Sequence, residues 1–192
     1  MNFPKHFRHF DQVMLWFVLI LVLSNIASAA KIIDLGFSLF GLRLAFDGGT
    51  LLFPLSYIIG DILTEVYGFR ASRRVIWSGF GALLFTALVF AALGSLPGEG
   101  LWEQEVGGHS FKGVLGGISS GGIVLASLAA YLCGEFSNSF ILAILKIKTG
   151  GRWLWLRTIG STLVGEALDS LIFVAIATWL AVFPKEIFWN LV

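Results

Sequence analysis

Five apolar runs, each long enough to cross a lipid bilayer, limit the folds open to this 192-residue chain. A helix needs about 20 mostly apolar residues to span the hydrocarbon core. The composition agrees, because 57% of the residues are hydrophobic and 13% are charged, against about 25% charged in soluble domains. The sequence therefore predicts an all-α integral membrane protein, one transmembrane domain over residues 1–192 whose five helices lie at about 13–30, 48–66, 75–94, 123–147 and 158–183.

Features within and between the runs predict local structure. Residues 32–46 alternate enough between apolar and polar positions to form a short hairpin. Pro54, inside the second run, predicts a kink on the face that also carries Tyr57 and Asp61. The single cysteine, Cys133, lies in an apolar run, so no disulfide framework is expected.

The charges are segregated along the chain although the net charge is only +1. Basic residues remain preferentially on the cytoplasmic side of a membrane. A cytoplasmic amino terminus leaves four basic residues outside and places nine inside, namely Lys5, Arg8, Arg70, Arg73, Arg74, Lys146, Lys148, Arg152 and Arg157. We therefore expect that orientation, and we expect no nucleic-acid partner.

Acidic residues inside the apolar runs are the strongest functional signal. Each acid near the centre of a membrane helix costs about 2.5–3.5 kcal/mol on insertion, whereas a leucine contributes only about 0.3–0.6 kcal/mol, so such residues are expected to face a polar interior. The acids concerned are Asp61, Glu65, Glu135, Glu166 and Asp169. We expect all of these except Glu65 to converge on one cavity, which makes the second, fourth and fifth runs mutual neighbours.

Four further residues on the runs fit either a functional role or a structural role. Glu65 suits proton coupling or gating, together with Arg70, or an ion pair with the nearby basic loop. Asn25 suits substrate contact or an interhelical hydrogen bond. Tyr57 and Tyr131 suit stacking on a planar substrate or ordinary core packing.

A weak internal echo accompanies these acids. In three places a glycine directly precedes an acid and a polar residue stands three positions after that acid. The three copies are Gly60-Asp61 with Thr64, Gly134-Glu135 with Asn138, and Gly165-Glu166 with Asp169. This pattern is typical of a repeat-built transporter, in which the substrate site lies between repeats near the midplane.

Motifs spread over most of the chain resemble those of the queuosine precursor transporter family, long labelled a putative vitamin uptake family. The motifs are Gly60-Asp61-Ile62-Leu63-Thr64-Glu65-Val66-Tyr67-Gly68, Arg73-Arg74 with Trp77, Gly134-Glu135-Phe136 with Asn138-Ser139, Thr149-Gly150-Gly151-Arg152-Trp153-Leu154-Trp155-Leu156-Arg157, Gly160-Ser161-Thr162, Gly165-Glu166 and Asp169-Ser170. The resemblance also implies a sixth, C-terminal helix, which is expected to begin near the end of this chain.

The resemblance implies uptake of 7-cyano- or 7-aminomethyl-7-deazaguanine across a bacterial cytoplasmic (inner) membrane. A carboxylate can accept both the exocyclic amine and the ring N–H of such a base, and an amide can donate to its O6. The residues expected to bind it are Asn25, Tyr57, Asp61, Tyr131, Glu135, Asn138, Glu166 and Asp169. The expected partners are this small molecule, the lipid bilayer and, as an assembly, a homodimer, and no cofactor is expected.

Two other functions remain open from the residues alone. One is a proton- or cation-coupled carrier, or a substrate-binding subunit, for another small vitamin-like molecule, since the same carboxylates could serve coupling as well as recognition. The other is an intramembrane enzyme, which ranks third. His6, His9 and His109 are the only histidines and lie outside the apolar runs, so a serine–histidine site or a histidine-ligated metal site lacks its parts. We therefore expect a transporter without catalytic residues or a metal site.

Overall fold

The computed structural model describes residues 9–39, 42–105, 109, 111, 115 and 121–180, and most of its described residues are helical. The helices are α1 (Phe10–Ala30), α2 (Phe53–Ile62), α3 (Phe69–Ser95), α4 (Gly100–Glu105), α5 (Gly121–Lys148) and α6 (Leu154–Trp179). Among the described residues, four helices, α1, α3, α5 and α6, are long and apolar enough to cross a membrane. The predicted all-α membrane architecture is confirmed.

The predicted hairpin is present between α1 and α2. Strand β1 (Ile32–Leu39) pairs antiparallel with β2 (Leu42–Asp47), from Ile32 opposite Asp47 to Leu39 opposite Leu42. The N–H of Gly48 donates to the Lys31 carbonyl at 2.8 Å, which closes the base of the hairpin at the end of α1. This hairpin therefore fixes where the second apolar run begins.

The second apolar run is built from three pieces. A 3₁₀ helix (Gly48–Leu51) leads into α2, and α2 continues into a π-helical turn (Leu63–Tyr67) that ends at Gly68. Pro54 lies in the first turn of α2, so the expectation that it kinks a continuous helix is wrong. Proline lacks an N–H and has a fixed φ, which suit a helix start, where that N–H has no partner within the helix.

The long helices pack in two groups that share α5. In the first, α1 and α3 enclose an apolar cluster with α5 and the π-helical turn: Phe10, Phe17, Leu21, Leu63, Val75, Ile76, Leu83, Leu128 and Tyr131. In the second, α5 and α6 form the most extensive helix contact in the described part of the chain. Their backbones approach closely at Gly134 and Gly165, since a Cβ at either glycine would lie 3.0 Å from the carbonyl oxygen of the other. Small residues permit such crossings in membrane helices.

Candidate functional site

A buried hydrogen bond joins α2 to α5 at the centre of the acidic region. The Asn138 side-chain amide donates to Oδ1 of Asp61 at 3.0 Å, and both side chains are buried. Thr162, on α6, also hydrogen-bonds to the Asp61 carboxylate. Three helices that the sequence predicts to be neighbours therefore meet at one carboxylate.

Glu135 lies beside this pair and is only 3% exposed. Its Oε2 atom has no hydrogen-bond partner among the described residues, and the same is true of Asn138 Oδ1. Glu135 fits here because the facing residue is Gly60, where an added Cβ would lie 3.2 Å from Oε2. A buried acceptor without a donor costs about 1–3 kcal/mol, so two of them side by side on α5 indicate a place for a ligand that brings donors.

Tyr57 and Asp169 border the same region from the crossing of α5 and α6. A Cβ at Gly134 would lie 3.3 Å from the Tyr57 hydroxyl and 2.9 Å from the Asp169 Cβ. Tyr57 is buried, whereas Asp169 is half-buried. Tyr57, Asp61, Glu135 and Asp169 are therefore close neighbours, with an electrostatic influence between Glu135 and both Asp61 and Asp169.

Glu166 is placed differently from the other three acids. It is exposed on α6, one turn before the half-buried Asp169. It lies near enough to Tyr57 and Asp169 to influence both electrostatically. Glu166 therefore sits at the edge of the acidic region, and its role in binding stays a prediction.

Asn25 and Tyr131, two further predicted site residues, each donate a hydrogen bond to a backbone carbonyl. The Asn25 amide donates to the Leu21 carbonyl of its own helix at 2.9 Å. The buried Tyr131 hydroxyl donates to the Ile76 carbonyl at 3.0 Å and so connects α5 to α3. Tyr131 also lies near enough to Glu135 and Tyr57 to be influenced electrostatically by both. The role of Asn25 and Tyr131 in binding stays a prediction.

An ion-pair cluster lies one turn beyond Asp61, in the π-helical turn. Arg157 Nη1 and Nη2 donate to Glu65 Oε2 and Oε1 at 3.0 and 3.2 Å. Lys146 Nζ lies 3.2 Å from Glu65 Oε1 and donates to the Glu65 carbonyl at 2.7 Å. The expected pairing of Glu65 with a basic residue is present, but the partners come from α5 and α6 and not from the exposed Arg70.

Three buried hydroxyl groups, those of Thr64, Ser72 and Ser139, lie near Glu65 and Asn138 and were not among the predicted site residues. Thr64 donates to Ser139 at 3.1 Å, and Ser139 is 2.9 Å from Ser72, so the hydroxyls connect the π-helical turn, α5 and α3. All three side chains are buried. Thr64 directly precedes Glu65 and belongs to the internal echo, whereas Ser139 directly follows Asn138 in one of the family motifs. These positions were the available signals.

Known proteins give an independent comparison. The chain is 29% identical over 154 residues to a protein of Bacillus subtilis (strain 168) named "Probable queuosine precursor transporter". It is 26% identical over 154 residues to the "Queuosine precursor transporter" of Escherichia coli (strain K12). Each match covers 80% of this chain and 64% of the relative, so the chain spans less than two thirds of the length of these relatives. No solved structure matches significantly.

A family profile gives the broader assignment. The profile described as "Putative vitamin uptake transporter" matches residues 47–192, which include every acid of the site. This match confirms the resemblance carried by the sequence motifs, and the family is one of transporters and not of enzymes. Because the match covers well over half of the chain, this multi-pass membrane protein belongs to the putative vitamin uptake transporter family.

Proposed function

We propose that the chain moves a queuosine precursor, 7-cyano- or 7-aminomethyl-7-deazaguanine, inward across a bacterial cytoplasmic membrane. The names of the two relatives support this substrate class. The polar site between α2, α5 and α6 supports transport, because ionisable residues within membrane segments are costly unless they serve a pathway or a binding site.

One observation carries the proposal: Glu135 Oε2 and Asn138 Oδ1 are buried acceptors without donors among the described residues. A guanine-like base presents an exocyclic amine and a ring N–H side by side. Both groups are donors, so one carboxylate can accept them together. Glu135 is the carboxylate best suited to this edge, because Asp61 already accepts hydrogen bonds from Asn138 and Thr162.

The donor for the O6 atom of the base changes in the light of the structure. An amide was the expected donor, but the amide N–H group of Asn138 serves Asp61 and its open atom is an acceptor. Tyr57 lies in the α5–α6 crossing beside Gly134, and its hydroxyl can donate. We therefore propose that the Tyr57 hydroxyl donates to O6 and that Asn138 Oδ1 accepts a hydrogen bond from a donor of the base.

The test is precursor uptake in bacterial cells that cannot synthesise the precursor, read as the queuosine content of tRNA. The intact chain should restore queuosine. Glu135→Gln places an amide N–H against a donor of the base, a mismatch of about 1–3 kcal/mol, so binding should fall roughly 5- to 150-fold. Glu166→Gln makes the same change at the edge of the site and should have a smaller effect.

The matched control is Glu105→Gln, the same chemical change at an exposed position in α4. Its uptake should equal that of the intact chain. Unchanged uptake in both Glu135→Gln and Glu166→Gln would refute the site. Absence of uptake by the intact chain, at normal membrane expression, would refute the proposed function for this chain.

A further inference from the structure

We infer that the ion pairs of Glu65 with Arg157 and Lys146 form a gate that closes one end of the substrate path. This inference rests on the proposed transport function. A carrier must close its site to one side while it is open to the other, and this requires an element with two arrangements. The ion-pair cluster lies beside the site, joins the elements that enclose it, and is flanked by backbone turns with positive φ.

Its position is one turn from the substrate site along a single segment. Glu65 follows Asp61 by four residues, across the junction of α2 and the π-helical turn. The buried hydroxyls of Thr64 and Ser139 lie next to it. A ligand that leaves Asp61 toward this end must therefore pass the level of Glu65.

Its connections join the three elements that enclose the site. Glu65 belongs to the π-helical turn, Lys146 to the last turn of α5, and Arg157 to the first turn of α6. Both side-chain oxygens of Glu65 are used, and Lys146 also holds its backbone carbonyl. Release of the one carboxylate would break the ion pairs of this segment with both other helices and leave the Lys146 bond to the Glu65 carbonyl and the Thr64 bond to Ser139.

The backbone on both sides of the cluster has left-handed residues that suit a hinge. Gly68, directly after the π-helical turn, has φ 86°, and a Cβ there would meet no atom within 4 Å. The α5–α6 turn contains Gly150 and Gly151 with positive φ, and Trp153 with φ 57°. A bulky residue with a positive φ costs about 1–3 kcal/mol, and such strained residues are found in switch regions. Single π-helical turns are likewise frequent at functional sites.

The ion pair itself can open. The Glu65 side chain is 23% exposed, so water reaches it, whereas that of Arg157 is 2% exposed. The buried Arg157 Nε has no hydrogen-bond partner among the described residues. The closed arrangement therefore leaves one guanidinium donor unused, and a second arrangement can satisfy it.

The test uses a buried reporter cysteine next to the gate. In a Cys133→Ser background, Ser139→Cys reports access to the hydroxyl cluster, with Ser72→Cys as a second reporter should the first protein fail to fold. A charged, water-soluble thiol reagent should label the reporter slowly while the gate is closed. Glu65→Gln should raise the labelling rate at least about tenfold, because the buried Arg157, whose side chain is 2% exposed, loses its charged partner.

Three controls separate a gate from general loosening. Arg70→Gln, an exposed neutralisation on α3, should leave labelling slow. Ser24→Cys, a fully buried reporter on α1, should remain protected in Glu65→Gln, whereas general unfolding would expose both reporters. The conservative variant Glu65→Asp, which keeps the carboxylate, should protect Ser139→Cys better than Glu65→Gln does.

Equal labelling of the gate reporter with and without Glu65→Gln would overturn the inference, as would simultaneous labelling of Ser24→Cys. These rates are measured without substrate. A failed gate is therefore distinguishable from a failed proposed function, which is judged by uptake alone.

Discussion

Two asparagines illustrate how one side chain takes different tasks according to its neighbours. Asn138 is fully buried and donates across helices to Asp61. Asn25 is half-buried and donates within its own helix to Leu21. The first bond satisfies a buried carboxylate and connects two elements, whereas the second only satisfies a local carbonyl.

This difference predicts unequal stability losses. Asn138→Ala should lower the free energy of unfolding by roughly 1–3 kcal/mol, because Asp61 Oδ1 loses its donor in a buried position. Asn25→Ala removes a bond to a carbonyl that α1 already uses and should cost clearly less. Denaturant unfolding of the purified protein in detergent measures both. Equal losses would contradict the role given to Asn138.

The partner of Glu65 shows what residue patterns alone can reveal. The sequence predicts that an acid near a basic loop finds a cation, and it does. Arg70 is five residues away, but Gly68 turns the chain and Arg70 is exposed on the new helix. The actual partner, Arg157, is 92 positions away and reaches Glu65 only because α5 and α6 fold back on each other. Such a contact depends on tertiary structure.

The contact of α5 with α6 depends on two glycines of the internal echo. Each glycine of the echo lies against a polar residue from another copy: Gly60 against Glu135, Gly134 against Asp169, and Gly165 against Asn138. The missing Cβ atoms make room for these side chains. The sequence pattern predicts that the three copies contribute to one site. Which glycine faces which polar residue follows only from the way the helices cross.

Alanine at this crossing should therefore be destabilising. In Gly134→Ala or Gly165→Ala the new methyl would lie about 3.0 Å from the facing carbonyl oxygen and force the helices apart, at a cost of roughly 1–3 kcal/mol. Gly160→Ala is the control on α6, because its Cβ would meet only Leu145 Cδ1 at 3.9 Å. It should be neutral or stabilising, since alanine favours helix more than glycine does. Unfolding measurements that rank Gly160→Ala with the other two would rule out a tight crossing.

For the molecule as a whole, the apolar runs predict the long helices well. The first, third, fourth and fifth runs correspond to α1, α3, α5 and α6, and α3 and α6 begin several residues earlier than predicted. Basic residues precede both of those runs, but they do not stop a helix. The composite second run was beyond prediction, because hydropathy does not distinguish an α-helix from 3₁₀ and π-helical turns. That the run crosses the membrane stays a prediction.

The arrangement also predicts which ends of the helices share a side of the membrane. Glu65 binds Lys146 in the last turn of α5 and Arg157 in the first turn of α6, so the connection between these helices and the basic start of α3 lie at one end. In a Cys133→Ser background, cysteines at Arg73 and Trp155 should react from the same, cytoplasmic side. A cysteine at the exposed Ile32, in the hairpin, should react from the other side. Labelling of Arg73→Cys and Trp155→Cys from opposite sides would contradict this topology.

The most direct test of the account is equilibrium binding of two ligands to the purified protein. One ligand is 7-cyano-7-deazaguanine, and the other is the same base without its exocyclic amine. The protein should bind the amine-bearing base roughly 5- to 150-fold more tightly, because the base without the amine leaves a buried acceptor of Glu135 without a donor. Glu135→Gln should lose most of this preference, and Glu105→Gln should retain it. An equal preference in the protein and in Glu135→Gln would contradict the claim that Glu135 reads the base.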